Sequence, residues 1–129
     1  MIAPSFTPGF RLSSLDILIS VVSAALAITF AFIDPNLGLI IAFVVIHFFL
    51  FCNVFRVARP LELTWAGVFI LLGSLAMTDV THWSVSYALT FLVTIVIVMI
   101  TLRRPSYHGI GWRRINPDLS AWWKAPFEG

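Results

Sequence analysis

Three histidines are the residues of this chain whose chemistry could reach furthest beyond packing. His47 stands near the middle of one apolar stretch, His82 at the outer edge of another, and His108 in a polar segment past both. A haem held between two helices needs two axial imidazoles at matching depth. Helical rise separates His47 and His82 by roughly 15 Å in depth, so one haem cannot bridge them within a single chain. His47 alone could ligate a haem or chlorin whose second ligand comes from elsewhere, and it is the candidate cofactor-binding residue. An ionisable group inside an apolar span is a functional candidate by default, although a hydrogen bond between helices is its plainer role. Phe43, His47, Phe51 and Phe55 recur every four residues and share one helix face. That stripe points first to packing and second to a bound lipid, quinone or pigment. The residues name no particular cofactor.

A second group is Asp16, Asn53, Arg56, Arg59 and Glu62, which fall at the polar ends of three apolar stretches. Unpaired charges at such a boundary are costly, and pairing or snorkelling lowers that cost. These five form either an ion-pair network that locks a turn, a site for an anionic lipid headgroup, or a docking surface for a partner subunit. A third group is Tyr107, His108, Trp112, Arg113 and Arg114, followed by Leu119, Trp122 and Trp123. Arginine interleaved with aromatics can mark nucleic-acid binding, but arginine pairs beside apolar spans fit lipid anchoring better, and nucleic acid is not expected as a partner. The single cysteine, Cys52, lies in an apolar run and reads as a small buried hydrophobe. A glycine-rich phosphate loop, metal-ligand spacing, a nucleophile motif and paired carboxylates within a span are all missing from the sequence. The chain is therefore not expected to be an enzyme.

The elements that position these groups follow from composition. Of the 129 residues, 60% are hydrophobic and 11% charged, and mean hydropathy is +0.98. A soluble domain carries about 25% charged residues, so much of this surface must meet lipid rather than water. A span needs about 20 mostly apolar residues, and four such spans account for most of the chain. The formal charge of +2 arises at span ends, where membrane topology explains it.

The chain divides into a lead-in over residues 1–12, a four-helix membrane domain over 13–104, and a tryptophan-rich tail over 105–129. The spans are expected at about 14–33, 37–57, 61–77 and 82–102. Ser13 or Ser14 can cap the first helix, with Asp16 in its first turn. A cleaved signal peptide competes for this segment, since Ala25-Leu26-Ala27 offers small residues; with Arg11 alone as basic flank, an uncleaved span is favoured. Asp34-Pro35-Asn36 reads as a three-residue turn. Pro60 is expected to end the second helix, and the third span is short, so thinning or snorkelling would accommodate it. Ser20, Ala24, Ala27 and Ala31 form a small-residue strip on the first span, and Ala66, Gly67, Gly73 and Ser74 a second strip on the third, which nominates those two spans as a close pair. The fourth span is rich in Val, Ile and Thr, yet stays helical because lipid offers its backbone no other partners. In the tail, Asn116 and Pro117 predict a helix over 117–124 ended by Pro126, with Leu119, Trp122 and Trp123 on one face. That helix is expected at the membrane interface.

Four spans put all eight Lys and Arg residues on one side. The positive-inside rule then places both termini in the cytoplasm. The expected fold is an all-α integral membrane protein, an antiparallel up-down bundle of four transmembrane helices with a short cytoplasmic interfacial helix, multi-pass in the inner (plasma) membrane. The expected function is that of a non-catalytic accessory or assembly subunit of a larger membrane complex, such as a bioenergetic one, in contact with anionic headgroups and other membrane subunits. The alternatives are a small oligomeric transporter or channel and a cofactor- or pigment-binding subunit using His47.

Overall fold

The computed structural model describes residues 7–128; the first six residues of the lead-in and Gly129 lie outside them. Helix α1 is Ser14–Ile33, α2 is Pro35–Phe49 with a π-helical turn over Leu50–Val54, α3 is Arg59–Met77 and α4 is Trp83–Leu102. Two short helices follow, α5 at Trp112–Ile115 and α6 at Leu119–Glu128. The described residues contain no strand. The first four helices are long and apolar enough to cross a membrane, and at 1.5 Å per residue each reaches about 30 Å.

Their ends have local causes. Ser13 caps α1 in a full capping box: its Oγ accepts from the Asp16 N–H at 3.2 Å, while its own N–H donates to Asp16 Oδ2 at 2.9 Å. The expected three-residue turn after α1 is in fact one residue. Asp34 closes α1 by donating its N–H to Phe30 O at 2.8 Å, and opens α2 by accepting from the Asn36 N–H at 3.0 Å. Pro35 sits in the first turn of α2, where its missing donor costs nothing. Pro60 behaves likewise: rather than breaking the preceding helix it lies in the first turn of α3, so α3 starts two residues earlier than expected. At the far end of α3 the N–H groups of Asp79 and Val80 reach Ala76 O and Leu75 O at 3.2 and 3.0 Å. This is a Schellman closure with Asp79 left-handed at φ 59°.

The core belongs to α2, α3 and α4. Phe51, Trp65, Phe69 and Ile97 are buried, with Phe43, Val44, Tyr87 and Val93 packed around them. Trp65 is fully enclosed. It stacks on His47 and Phe69 with ring centroids 4.8 and 5.7 Å away. Phe51 meets its edge. Its indole N–H donates to Thr94 Oγ1 at 2.9 Å. Between helices in lipid, close contact and such hydrogen bonds replace the hydrophobic drive, and one of them contributes about 0.6–2 kcal/mol. Along α4, Ser86, Thr90, Thr94 and Thr101 form a buried hydroxyl face. Thr90, Thr94 and Thr101 donate to the carbonyl four residues back, at 2.7 to 3.1 Å, and Ser86 donates across to Leu72 O at 2.8 Å.

Helix α1 stands apart from this core and buries no residue. The expected pairing of the first and third spans is not what forms: α1 packs on α2, and α3 on α4. The reason is Gly38. A Cβ there would lie 2.5 Å from Ala31 Cβ and 2.6 Å from Ala27 O. The small-residue strip of α1 is therefore spent on its immediate neighbour. On α3, Gly73 faces the Trp83 ring at 3.7 Å, while nothing lies within 4 Å of a Cβ built at Gly67.

Candidate functional site

Where α2 ends, the backbone widens. Phe55 N–H reaches Leu50 O at 2.9 Å, a π-type bond, and Val57 N–H reaches Phe51 O at 2.7 Å. The second closure is one residue wider than a Schellman cap. It leaves Arg56 left-handed at φ 52°, a conformation that glycine normally supplies and that costs other residues about 1–3 kcal/mol. Cys52 lies inside this turn. Expected as a buried hydrophobe, its side chain is exposed and donates from Sγ to Glu62 Oε1 at 3.1 Å.

Three chain segments meet at this end. Arg11 N–H donates to Asn53 O at 3.1 Å, and Asn53 Nδ2 returns a bond to Arg11 O at 2.6 Å. Gly9 N–H donates to His108 O at 2.6 Å, and Ile110 N–H to Val54 O at 2.7 Å. Arg56 Nη1 donates to Thr7 O at 2.6 Å. The lead-in, the α2–α3 turn and the tail are thus knitted together by main chain as well as side chain.

Between them lies a pocket of about 390 Å³. All five residues of the boundary group border it: Asp16, Asn53, Arg56, Arg59 and Glu62. Arg11, Cys52 and His108 join them. These three stand outside the group read from the sequence; Arg11 and His108 reach it only because the lead-in and the tail fold back onto the end of α2. Both carboxylates are already engaged. Asp16 Oδ2 accepts from Ser13 Oγ at 2.7 Å as well as from its N–H. Glu62, buried, pairs with the exposed Arg59 at 3.7 Å, the one ion pair among the described residues. Three arginines face two carboxylates, so the lining carries surplus positive charge. Burial pushes the Arg56 guanidinium below the ordinary arginine range, and the like charge of Arg11 acts in the same direction.

Two further hollows adjoin this pocket. One, of about 320 Å³, shares Asp16, Cys52 and Asn53 with it. The next, of about 620 Å³, is an apolar groove between α1 and α2 that shares Ser20, Val45 and Phe49 with the second.

His47 sits elsewhere, inside the core at 5% exposure. Its Nδ1 donates to Phe43 O at 2.7 Å in the tautomer that this carbonyl requires. Trp65 and Phe43 cover the ring at centroid distances of 4.8 and 4.3 Å. Phe51 of the same stripe also meets it, whereas Phe55 lies beyond the π turn. Among the described residues no cluster of His, Cys, Asp or Glu could hold a metal ion.

The tail folds differently from the expected single helix over 117–124. Asn116 closes α5, its N–H on Trp112 O at 2.6 Å, and its Nδ2 ties Pro105 O and Tyr107 O at 2.7 and 3.0 Å. Helix α6 starts at Leu119 and continues past Pro126 to Glu128, so Pro126 does not end it as expected. Leu119 is fully buried and Trp123, one turn on, meets His108 with centroids 6.1 Å apart. Trp122 points away and is 46% exposed. Trp112 lies against Gly9, and the Arg113 guanidinium stands 5.6 Å over the Trp112 ring. Arg113 and Arg114 are exposed.

No family model, curated protein or solved structure matches this chain.

Proposed function

We propose that this chain is a small multi-pass membrane subunit that works by association rather than catalysis, as an accessory or assembly component of a larger, for instance bioenergetic, membrane complex. The observation that carries this is the folded tail. Residues beyond α4 are held by Asn116, by the Ile110–Val54 bond and by burial of Tyr107 and Leu119. Yet the same segment leaves Ile110, Ile115 and Trp122 exposed, at 47%, 44% and 46%. Ordering a chain costs entropy, and exposed aromatic and branched side chains on an ordered segment outside the spans suit a partner's apolar surface.

The orientation supporting this reading has both termini in the cytoplasm and the four spans running up and down through the inner membrane. It gathers every Lys and Arg on one side. The hydrogen bonds joining the lead-in, the α2–α3 turn and the tail agree with it, since an even number of crossings returns those segments to one face. Helix α6 would then lie along the cytoplasmic interface. A transporter gains no support from the hydroxyl face of α4, whose donors are taken up by nearby carbonyls. The enclosed, stacked His47 suits a structural role better than an axial ligand.

The test is purification in mild detergent with mass spectrometry of everything retained. Truncation after Pro105 should leave the four spans inserted and weaken retention of partners. Trp122→Ser should reproduce most of that loss, by about tenfold in affinity for one buried aromatic anchor. Unchanged partners, yield and salt resistance in both variants would remove the proposal.

A further inference from the structure

Three hollows lie side by side along α1 and α2, each sharing lining residues with the next: a polar, arginine-bearing pocket, a small hollow and an apolar trough. We propose that these adjoining hollows together bind one anionic phospholipid, its phosphate among Arg11, Arg56 and Arg59 and an acyl chain along the α1–α2 groove.

Each part of the cleft matches one part of such a molecule. Arginine offers forked donors that fit phosphate oxygens in pairs. Arg56 spends one donor on Thr7 O, and among the described residues neither it nor Arg11 has a carboxylate at ion-pair distance. The two guanidiniums repel each other, and a phosphate between them would turn that repulsion into attraction. Asp16 and Glu62 also border the pocket; Asp16 attracts Arg11 and Glu62 pairs with Arg59, so the three arginines leave one positive charge in surplus. The trough beyond is lined by Ser20, Ser23, Ala24, Ala27, Val45 and Phe49, among others. Its small side chains leave room, and its lining is almost wholly apolar. The pocket lies where α1 and α3 begin and α2 ends, which in a spanning chain is headgroup depth. Free phosphate would fill only the polar pocket. A lipid would fill the polar pocket and the adjoining trough together.

Native mass spectrometry of the whole chain, with dioleoyl phosphatidylglycerol added to the detergent solution, tests this. One lipid should remain bound. Arg11→Gln with Arg56→Gln should lower its occupancy by about tenfold, the loss of two charge-assisted contacts. Ala24→Phe, which plugs the trough, should also lower it. Arg103→Gln with Arg104→Gln removes equal charge away from the pocket and should keep occupancy within about twofold. Arg11→Gln alone guards against misfolding, because the main chain of residue 11 carries the bonds to Asn53. Equal loss in the pocket and control variants would overturn the proposal in favour of diffuse attraction. Insensitivity to Ala24→Phe, or displacement of the lipid by excess inorganic phosphate, would overturn the lipid assignment.

Discussion

At the residue scale, this protein depends on places where a side chain is absent. Gly38 lets α2 approach α1 within ordinary contact of Ala31 and Ala27, and an added methyl has only backbone and a fixed Cβ to push against. Gly38→Ala should therefore destabilise the α1–α2 pair by about 1–3 kcal/mol, the range for overpacking. Gly67→Ala, with nothing within 4 Å, should show no such loss. Titration with denaturing detergent, followed by helical signal, separates the two. Tyr107 gives a pH-dependent counterpart. Its hydroxyl donates to Ile110 O at 2.5 Å, and burial raises its pKa above the ordinary tyrosine value. A raised folded value means that folding binds the proton. The contribution is then complete below about pH 10 and declines as pH rises through the folded value. Proteolysis of the tail should accelerate in that alkaline window, and Tyr107→Phe should lose about 1 kcal/mol at neutral pH and the alkaline step with it.

At the element scale, the tail and the π turn are one device. A Cβ on Gly109 would stand 2.6 Å from Phe55 O and 2.7 Å from Val54 O, so the tail touches the end of α2 backbone to backbone. Gly109→Ala should detach residues 106–124 while leaving the four long helices intact, seen as faster amide exchange confined to the tail. How far these elements were legible in the sequence follows from their causes. The limits of α1 could be read because Ser13, Asp16 and Asp34 act locally, within a few residues of the ends they set. The π turn could not, because Leu50 to Val54 is an ordinary apolar run and nothing in it announces an extra residue per turn. Cys52 reads as buried because its sequence neighbours are apolar, whereas it shares the pocket-facing spacing of Val45, Phe48 and Phe49. The α1–α3 pairing failed because a small-residue strip states that a helix can be approached closely without stating by which helix; Gly38, on the neighbour, held the answer. The members of the polar pocket were legible as boundary residues, whereas Arg11 and His108 needed the fold to bring them in. Trp65 escaped notice as the hub of the core, since its ring partners come from α2 as well as from α3.

At the scale of the whole molecule, charge and packing describe different asymmetries. All eight basic residues belong to segments that four crossings would put on one side. A reporter fused after Gly129 should therefore be active in the cytoplasm, and a fusion at Asp79 active on the opposite side. A periplasmic signal from the first fusion would imply an odd number of crossings. Packing is lopsided in another sense, with an aromatic core shared by α2, α3 and α4, and α1 joined mainly through α2.

That arrangement bears on how the chain is made. Asp34 is the whole connection between α1 and α2, ending one helix and starting the next with no residue to spare. A linker of that length has no slack with which to let the earlier helix cross and wait while the later one is still being synthesised. The two are expected to leave the ribosome's exit path and enter the bilayer as a preformed hairpin. The helix that contributes nothing to the interior would then be the one whose partner must be in place before it can settle.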